Sequence, residues 1–167
     1  MGGLFSADGM VTSTGMLGLQ SQIEHIPNVQ VHRYLWGDFA SYCRDAQRTK
    51  GKLAVIGYSG GGMSATYLAQ NKYCKGVKID LLIAYDPSPS WNMQPIGRNV
   101  RRSICYCNTQ KMTVLPLFVG SRRIGGGQLT GHNVTKVMIR QQHLAVQFDK
   151  KLHDRTVKEI TKLTIRK

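Results

Sequence analysis

The stretch LAVIGYSGGGMSA, Leu53 to Ala65, constrains this chain more than any other. Its opening apolar run has no polar alternation, the mark of a strand buried on both faces, and such strands belong to parallel sheets covered by helices. A helical pattern follows. Between the two, Ser59 is hemmed by Gly57 and by Gly60 to Gly62. A chain that turns this sharply from strand to helix needs residues without β-carbons around the turn.

The same alternation recurs along the sequence. Apolar residues at helical spacing run from Met10 to Ile26 until Pro27 stops them, and NVQVHRYLW alternates as a strand. GDFASYCRDAQRTKG predicts a helix with Asp38 at its cap and Gly51 past its end. Met63 to Tyr73 predicts another helix, KIDLLIAYD a second buried strand, and RRSICYCN and HNVTKVMIR two more. A last helix starts near Lys150, with Leu152, Val157, Ile160 and Leu163 as its apolar stripe. Pro87 to Arg101 and GSRRIGGGQLTGHN are expected to be loops. Strands alternating with helices predict an α/β fold: a three-layer sandwich of a mostly parallel sheet flanked by helices, joined by right-handed crossovers. With 167 residues, no repeat and no shift of composition, residues 1–167 are expected to form one domain.

Charge is lopsided, with 23 Lys+Arg against 9 Asp+Glu and a net +14. That field favours acidic partners. Basic residues cluster at Arg98, Arg101 and Arg102, at Arg122 and Arg123, and along the last helix. Aromatic residues are not interleaved with them as single-strand binders require, so nucleic acid has charge in its favour and no motif. No apolar run reaches the length of a membrane helix, and no secretory leader is expected after Met1. Oligomeric state has no signature. Cys43, Cys74, Cys105 and Cys107 lack zinc-ligand spacing, although Cys105 and Cys107 would share one strand face. Buried free thiols in a reducing, cytoplasmic compartment are the expectation.

Gly57-Tyr58-Ser59-Gly60-Gly61 matches the G-x-S-x-G nucleophile elbow in its strand-to-helix setting. Close packing of strand and helix, or a phosphate cradle, would also use these glycines; a Walker-type cradle would want Gly-Lys-Ser/Thr, and no Lys is present. Gly60 follows the serine, so its N–H is a candidate oxyanion donor at the start of a helix. A serine hydroxyl needs a base to take its proton. His25 and His32 precede the elbow, and His153 lies within the last helix. His132 enters the last strand and His143 follows its exit. In a parallel sheet only the exit end shares an edge with Ser59, which selects His143. Asp86, at the end of DLLIAYD before Pro87, is the candidate acid, while Asp80 lies at the wrong end of that strand. A turn carboxylate before proline is the plainer alternative for Asp86. Asp149 is the second candidate acid, and both it and Asp154 have the look of cap and helix-surface residues.

The order Ser59, Asp86, His143 resembles that of the α/β-hydrolase superfamily, in its small, lid-poor lipase, esterase and thioesterase types. GGLFSADGM is similar to the oxyanion-loop entry, LAVIGYSGGGMSA to the elbow, LLIAYDPS to an acid strand, and HLAVQFDKKLHDRTVKEI to the histidine loop and final helix. The resemblance implies Ser59 as nucleophile, His143 as base and Asp86 as acid. Members with the acid after the strand adjoining the nucleophile strand are the better comparison. It also implies a second oxyanion donor, the N–H of Leu4 or Phe5, in a loop formed by Gly2 to Phe5; the strand that leads into that loop in the family has no counterpart before Met1. Met1 to Ser6 fits the loose N-myristoylation pattern as well, and the oxyanion loop accounts for the same glycines.

The expected activity is that of a serine hydrolase cleaving a carboxylic ester or thioester through an acyl-enzyme, with no metal or organic cofactor. The positive field points to an anionic or polymer-bound substrate. A non-catalytic protein holding nucleic acid or an acidic polymer on a basic surface is the alternative from another class. An acyltransferase would use the same three residues.

Overall fold

The computed structural model of the protein describes residues 2–8, 14–35, 37–89, 93–109 and 125–165. Six strands are described: β1 (Gly2–Asp8), β2 (Val29–Leu35), β3 (Leu53–Tyr58), β4 (Leu81–Tyr85), β5 (Ser103–Asn108) and β6 (Val134–Ile139). They pair in the order β2-β1-β3-β4-β5-β6, and every pairing is parallel. Helices α1 (Thr14–Glu24), α2 (Phe39–Arg48), α3 (Gly60–Leu68), α4 (His143–Val146) and α5 (Lys150–Ile165) complete the described elements.

Every residue of β3, β4 and β5 is buried, as their unbroken apolar runs require. Alternate side chains feed two separate cores. Leu53, Val55, Leu82 and Ala84 pack with Tyr42 of α2 and with Ala65 and Leu68 of α3. Ile56, Tyr58, Ile83 and Tyr85 pack with Met16, Leu19 and Ile23 of α1 and with Leu152 and Ile160 of α5. These are the three layers. The stripe expected on the last helix holds: Leu152 and Ile160 are buried, and Val157 and Leu163 pack against the same core. The Tyr85 hydroxyl further fastens α5 to the sheet through the Leu152 carbonyl (3.1 Å) and the Thr156 hydroxyl (2.5 Å).

Element boundaries depart from the sequence pattern most at β1 and α3, and the short helix α4 has no counterpart in it. Gly2–Asp8 is not a loop but strand β1, placed inside the sheet between β2 and β3. Its two leading glycines hide β-character that partners on both sides supply. Helix α3 begins at Gly60 and ends at Leu68, earlier than the Met63 to Tyr73 expected. Residues 10–13, 90–92 and 120–124, the last including Arg122 and Arg123, lie outside the described residues.

The cysteines also differ from expectation. Cys43 is bonded to Cys74 and Cys105 to Cys107, leaving no free thiol. Cys43 lies on α2 and Cys74 in the turns after α3; packing of α2 beside α3 on one face brings them together, which a separation of 31 residues does not announce. The paired state removes the ground for a reducing compartment. Among the described residues, no helix is long and apolar enough to cross a membrane.

The Cys43–Cys74 bridge closes a long loop, which restricts the unfolded chain. Replacing both cysteines with serine is expected to lower the unfolding free energy by about 2–4 kcal/mol in a denaturant titration. An unchanged midpoint would show that the bridge contributes nothing.

Candidate active site

Strands β3 and β4 and helix α4 deliver three polar side chains to one edge of the sheet. Parallel pairing makes this possible, because the carboxyl ends of neighbouring strands lie side by side.

Ser59 caps α3 with φ 54° and ψ −120°, a conformation that costs a non-glycine residue roughly 1–3 kcal/mol. Its surroundings enforce it. The Ser59 N–H bonds the Tyr85 carbonyl (3.0 Å), and the Ser59 carbonyl accepts from the N–H groups of Ser88 (3.0 Å) and Met63 (3.3 Å). The first turn of α3 folds directly back onto β3, so that a β-carbon at Gly57 would lie 2.6 Å from the Gly62 nitrogen. One at Gly62 would lie 2.9 Å from Pro87 Cβ. The serine side chain makes no cap bond to its own helix and is free to point outward.

Its Oγ lies 2.9 Å from Nε2 of His143, and Nδ1 of His143 lies 2.8 Å from Oδ2 of Asp86. An ionised carboxylate only accepts, so Nδ1 carries the proton and Nε2 presents a lone pair to the Ser59 hydroxyl. The Tyr58 ring stacks on the imidazole at 5.0 Å between centroids, and the Tyr58 hydroxyl donates to the His143 carbonyl (3.0 Å). Burial, with the Asp86 charge nearby, pushes the Tyr58 pKa far up, so the phenol stays a neutral donor.

Asp86 is 1% exposed, and a buried carboxylate needs donors to hold its charge. Among the described residues three serve it: His143 Nδ1–H, the Gly126 N–H (2.6 Å) and the Asn108 side-chain amide (3.3 Å). Asn108 also donates to the Gln141 carbonyl, tying the acid to the segment that carries His143. Gly125 adopts φ +79°, and a β-carbon there would lie 2.5 Å from Asp86 Oδ2 and collide with His143 Nδ1.

The remaining candidates are placed elsewhere. Asp149 caps α5 by accepting from the N–H groups of Lys151 (2.8 Å) and Leu152 (3.1 Å). Burial opposes its charge, but the Gln141 amide and these backbone donors outweigh burial and hold its pKa below the ordinary value. Asp80 serves the opposite sheet end, accepting from the Leu53 N–H (3.1 Å). Asp154 is exposed and pairs with Lys150. His153 is buried, bonded through Nε2 to the Gln147 carbonyl (2.7 Å), and burial lowers its pKa. His25, His32 and His132 are exposed.

Gly60 is the first residue of α3, and its N–H is one of those a helix start cannot pair internally. Leu4 and Phe5 are a correction. They sit in mid-ladder in β1, opposite Ala54 and Val55 of β3. Ser59 lies four positions beyond Val55, a rise of roughly 13 Å. Their N–H groups belong to the sheet and lie far from the serine. The glycines of the N-myristoylation pattern fall in the same strand.

Sequence reasoning passed over Ser88, Asn108, Gly125 and Gly126. The Ser88 hydroxyl is 3.2 Å from Ser59 Oγ; with the Ser59 proton directed to His143, Ser88 is the donor. The exit-end rule that found Asp86 also finds Asn108, at the end of β5. The glycine triplet 125–127 was the signal for the third support.

Gly125→Ala is expected to part Asp86 from His143. Proton NMR would show this as an upfield move of the hydrogen-bonded His143 Nδ1 proton. Gly18→Ala is the control, since a β-carbon there meets nothing within 4 Å. An unmoved resonance in Gly125→Ala would contradict the packing described.

No family model matches the sequence, and no curated protein matches it. Solved structures do resemble the fold. Lipase B of Aspergillus fumigatus superposes with a TM-score of 0.61 at 12% identity, covering 93% of this chain and 51% of the lipase. This chain thus spans about half of that enzyme. The NocB thioesterase domain of the nocardicin cluster gives a TM-score of 0.56 at 14% identity over 98% of this chain and 94% of the domain. A YdeN-like hydrolase of Pectobacterium atrosepticum gives 0.52 at 11% over 96% and 92%. With an all-parallel sheet covered by helices on both faces, the chain has the α/β-hydrolase fold.

Proposed function

We propose that this chain is a serine hydrolase that cleaves a carboxylic ester or thioester through an acyl-enzyme on Ser59. The observation that carries the proposal is the unbroken chain from Ser59 Oγ through His143 to Asp86, at 2.9 and 2.8 Å, with the serine on a strained turn. Structural neighbours described as a lipase and a thioesterase domain suggest the ester and thioester classes.

As Ser59 Oγ bonds to the substrate's carbonyl carbon, its proton passes to Nε2 of His143. Asp86 stabilises the imidazolium, and the Nδ1 proton stays on His143. The carbonyl oxygen becomes an oxyanion, which in this reading the Gly60 N–H and the start of α3 stabilise. Collapse breaks the bond to the alkoxide or thiolate, and Nε2 returns the proton to that leaving group. Water then gives a proton to Nε2 and attacks the acyl carbon; a carboxylic acid leaves and Ser59 regains its hydrogen. An acyltransferase would differ only in admitting another acceptor in place of water, so product analysis separates the two. The net +14 supports an anionic or polymer-bound substrate, and it is also what favours the binding-protein alternative.

Ser59→Ala and His143→Ala are each expected to abolish turnover of chromogenic esters while leaving the circular dichroism spectrum unchanged. Asp86→Asn is expected to reduce kcat by roughly 10⁴-fold. If Asp86→Asn were harmless and Asp149→Asn were not, the acid would be misassigned. A folded native chain with no turnover across short and long acyl esters would favour the binding protein.

A further inference from the structure

Helix α4 starts at His143, and its exposed residues, Leu144 and Ala145, are apolar. Leu144 is 55% exposed and Phe148, in the turn after the helix, is 59% exposed. They are four residues apart, so they lie on one face, and Ala145 is exposed between them. Val146 and Gln147 are buried on the opposite side. Scattered exposed apolar residues are ordinary. This group begins one residue after the imidazole that touches Ser59.

The platform is held in place. Gln147 Oε1 accepts from the Gly15 N–H (3.1 Å), the Gln147 carbonyl bonds His153, and the His143 carbonyl accepts from Tyr58. A β-carbon at Gly15 would lie 2.6 Å from the Gln147 carbonyl carbon, so α1 presses directly against this turn. Little ordering is left to be done when the apolar face is covered.

Cations flank it. Arg140, Lys150 and Lys151 are exposed on either side of the apolar residues. Two carboxylates share the segment, Asp149 capping α5 and Asp154 paired with Lys150, so Arg140, Lys150 and Lys151 leave it a net positive charge of one. The chain as a whole carries +14. Apolar side chains within a basic surround match a bilayer whose headgroups are anionic, where carbon enters the interface and cations meet lipid phosphates.

We propose that the α4 face, Leu144, Ala145 and Phe148 with Arg140, Lys150 and Lys151, docks on an anionic lipid surface. Resting on the hydrolase proposal, this makes acyl esters presented at such a surface the substrate class of the Ser59 site.

The test is flotation of the Ser59→Ala chain with phosphatidylcholine vesicles, with and without about one-third phosphatidylglycerol. Binding to the anionic vesicles is expected, weakening as salt rises. The double variant Leu144→Ser/Phe148→Ser in the same background is expected to bind roughly tenfold more weakly or worse. Equal binding to both vesicle types, or undiminished binding by the double variant, would overturn the proposal. So would a dimer that the double variant dissociates, since a second copy would then cover the face. A native chain that turns over a soluble short-chain ester yet ignores vesicles defeats the docking surface and spares the hydrolase. Binding without any ester turnover does the reverse.

Discussion

The contact between β3 and the first turn of α3 governs what this edge of the sheet can hold. Because Gly57 and Gly62 lack side chains, the helix closes onto the strand that feeds it, and Ser59 is left at the apex with its hydroxyl against His143. The cost of that backbone is offset by bonds to both the N–H and the carbonyl of Ser59, from β4 and from the turn after it. Strand β4 therefore does two things. It pins the serine and, one residue beyond its end, supplies Asp86.

The acid turn is braced from three directions, by Gly126, by Asn108 and by Pro87 against Gly62. Asn108 bonds both the acid and the Gln141 carbonyl, two residues before the imidazole. Strand β5 thereby ties Asp86 to the segment that carries His143. Tyr58 closes the arrangement from below by stacking on His143. Four elements meet, and each constrains the next.

Much of this was legible in the sequence. The unbroken apolar runs of β3, β4 and β5 and the stripe of α5 are periodic signals, and exit-end logic puts Asp86 and His143 at the edge where the structure brings them beside Ser59. What was hidden depended on partners distant in the chain. Gly2–Asp8 is a strand because β2 and β3 flank it, a fact that its glycines conceal. Leu4 and Phe5 accordingly became sheet rather than oxyanion loop. The Cys43–Cys74 pairing follows from two helices sharing a face, and Gly125 matters only because the Asp86–His143 pair lies against it. Local pattern reports local structure, and these features are made by tertiary packing.

The central claim is that the imidazole of His143 makes one particular hydroxyl nucleophilic. Treating the native chain with a fluorophosphonate and mapping the adduct by mass spectrometry tests it most directly. A single adduct on Ser59, absent when the chain is first unfolded, is the result this account predicts. An intact folded chain that stays unlabelled, or labels at another residue, would contradict it.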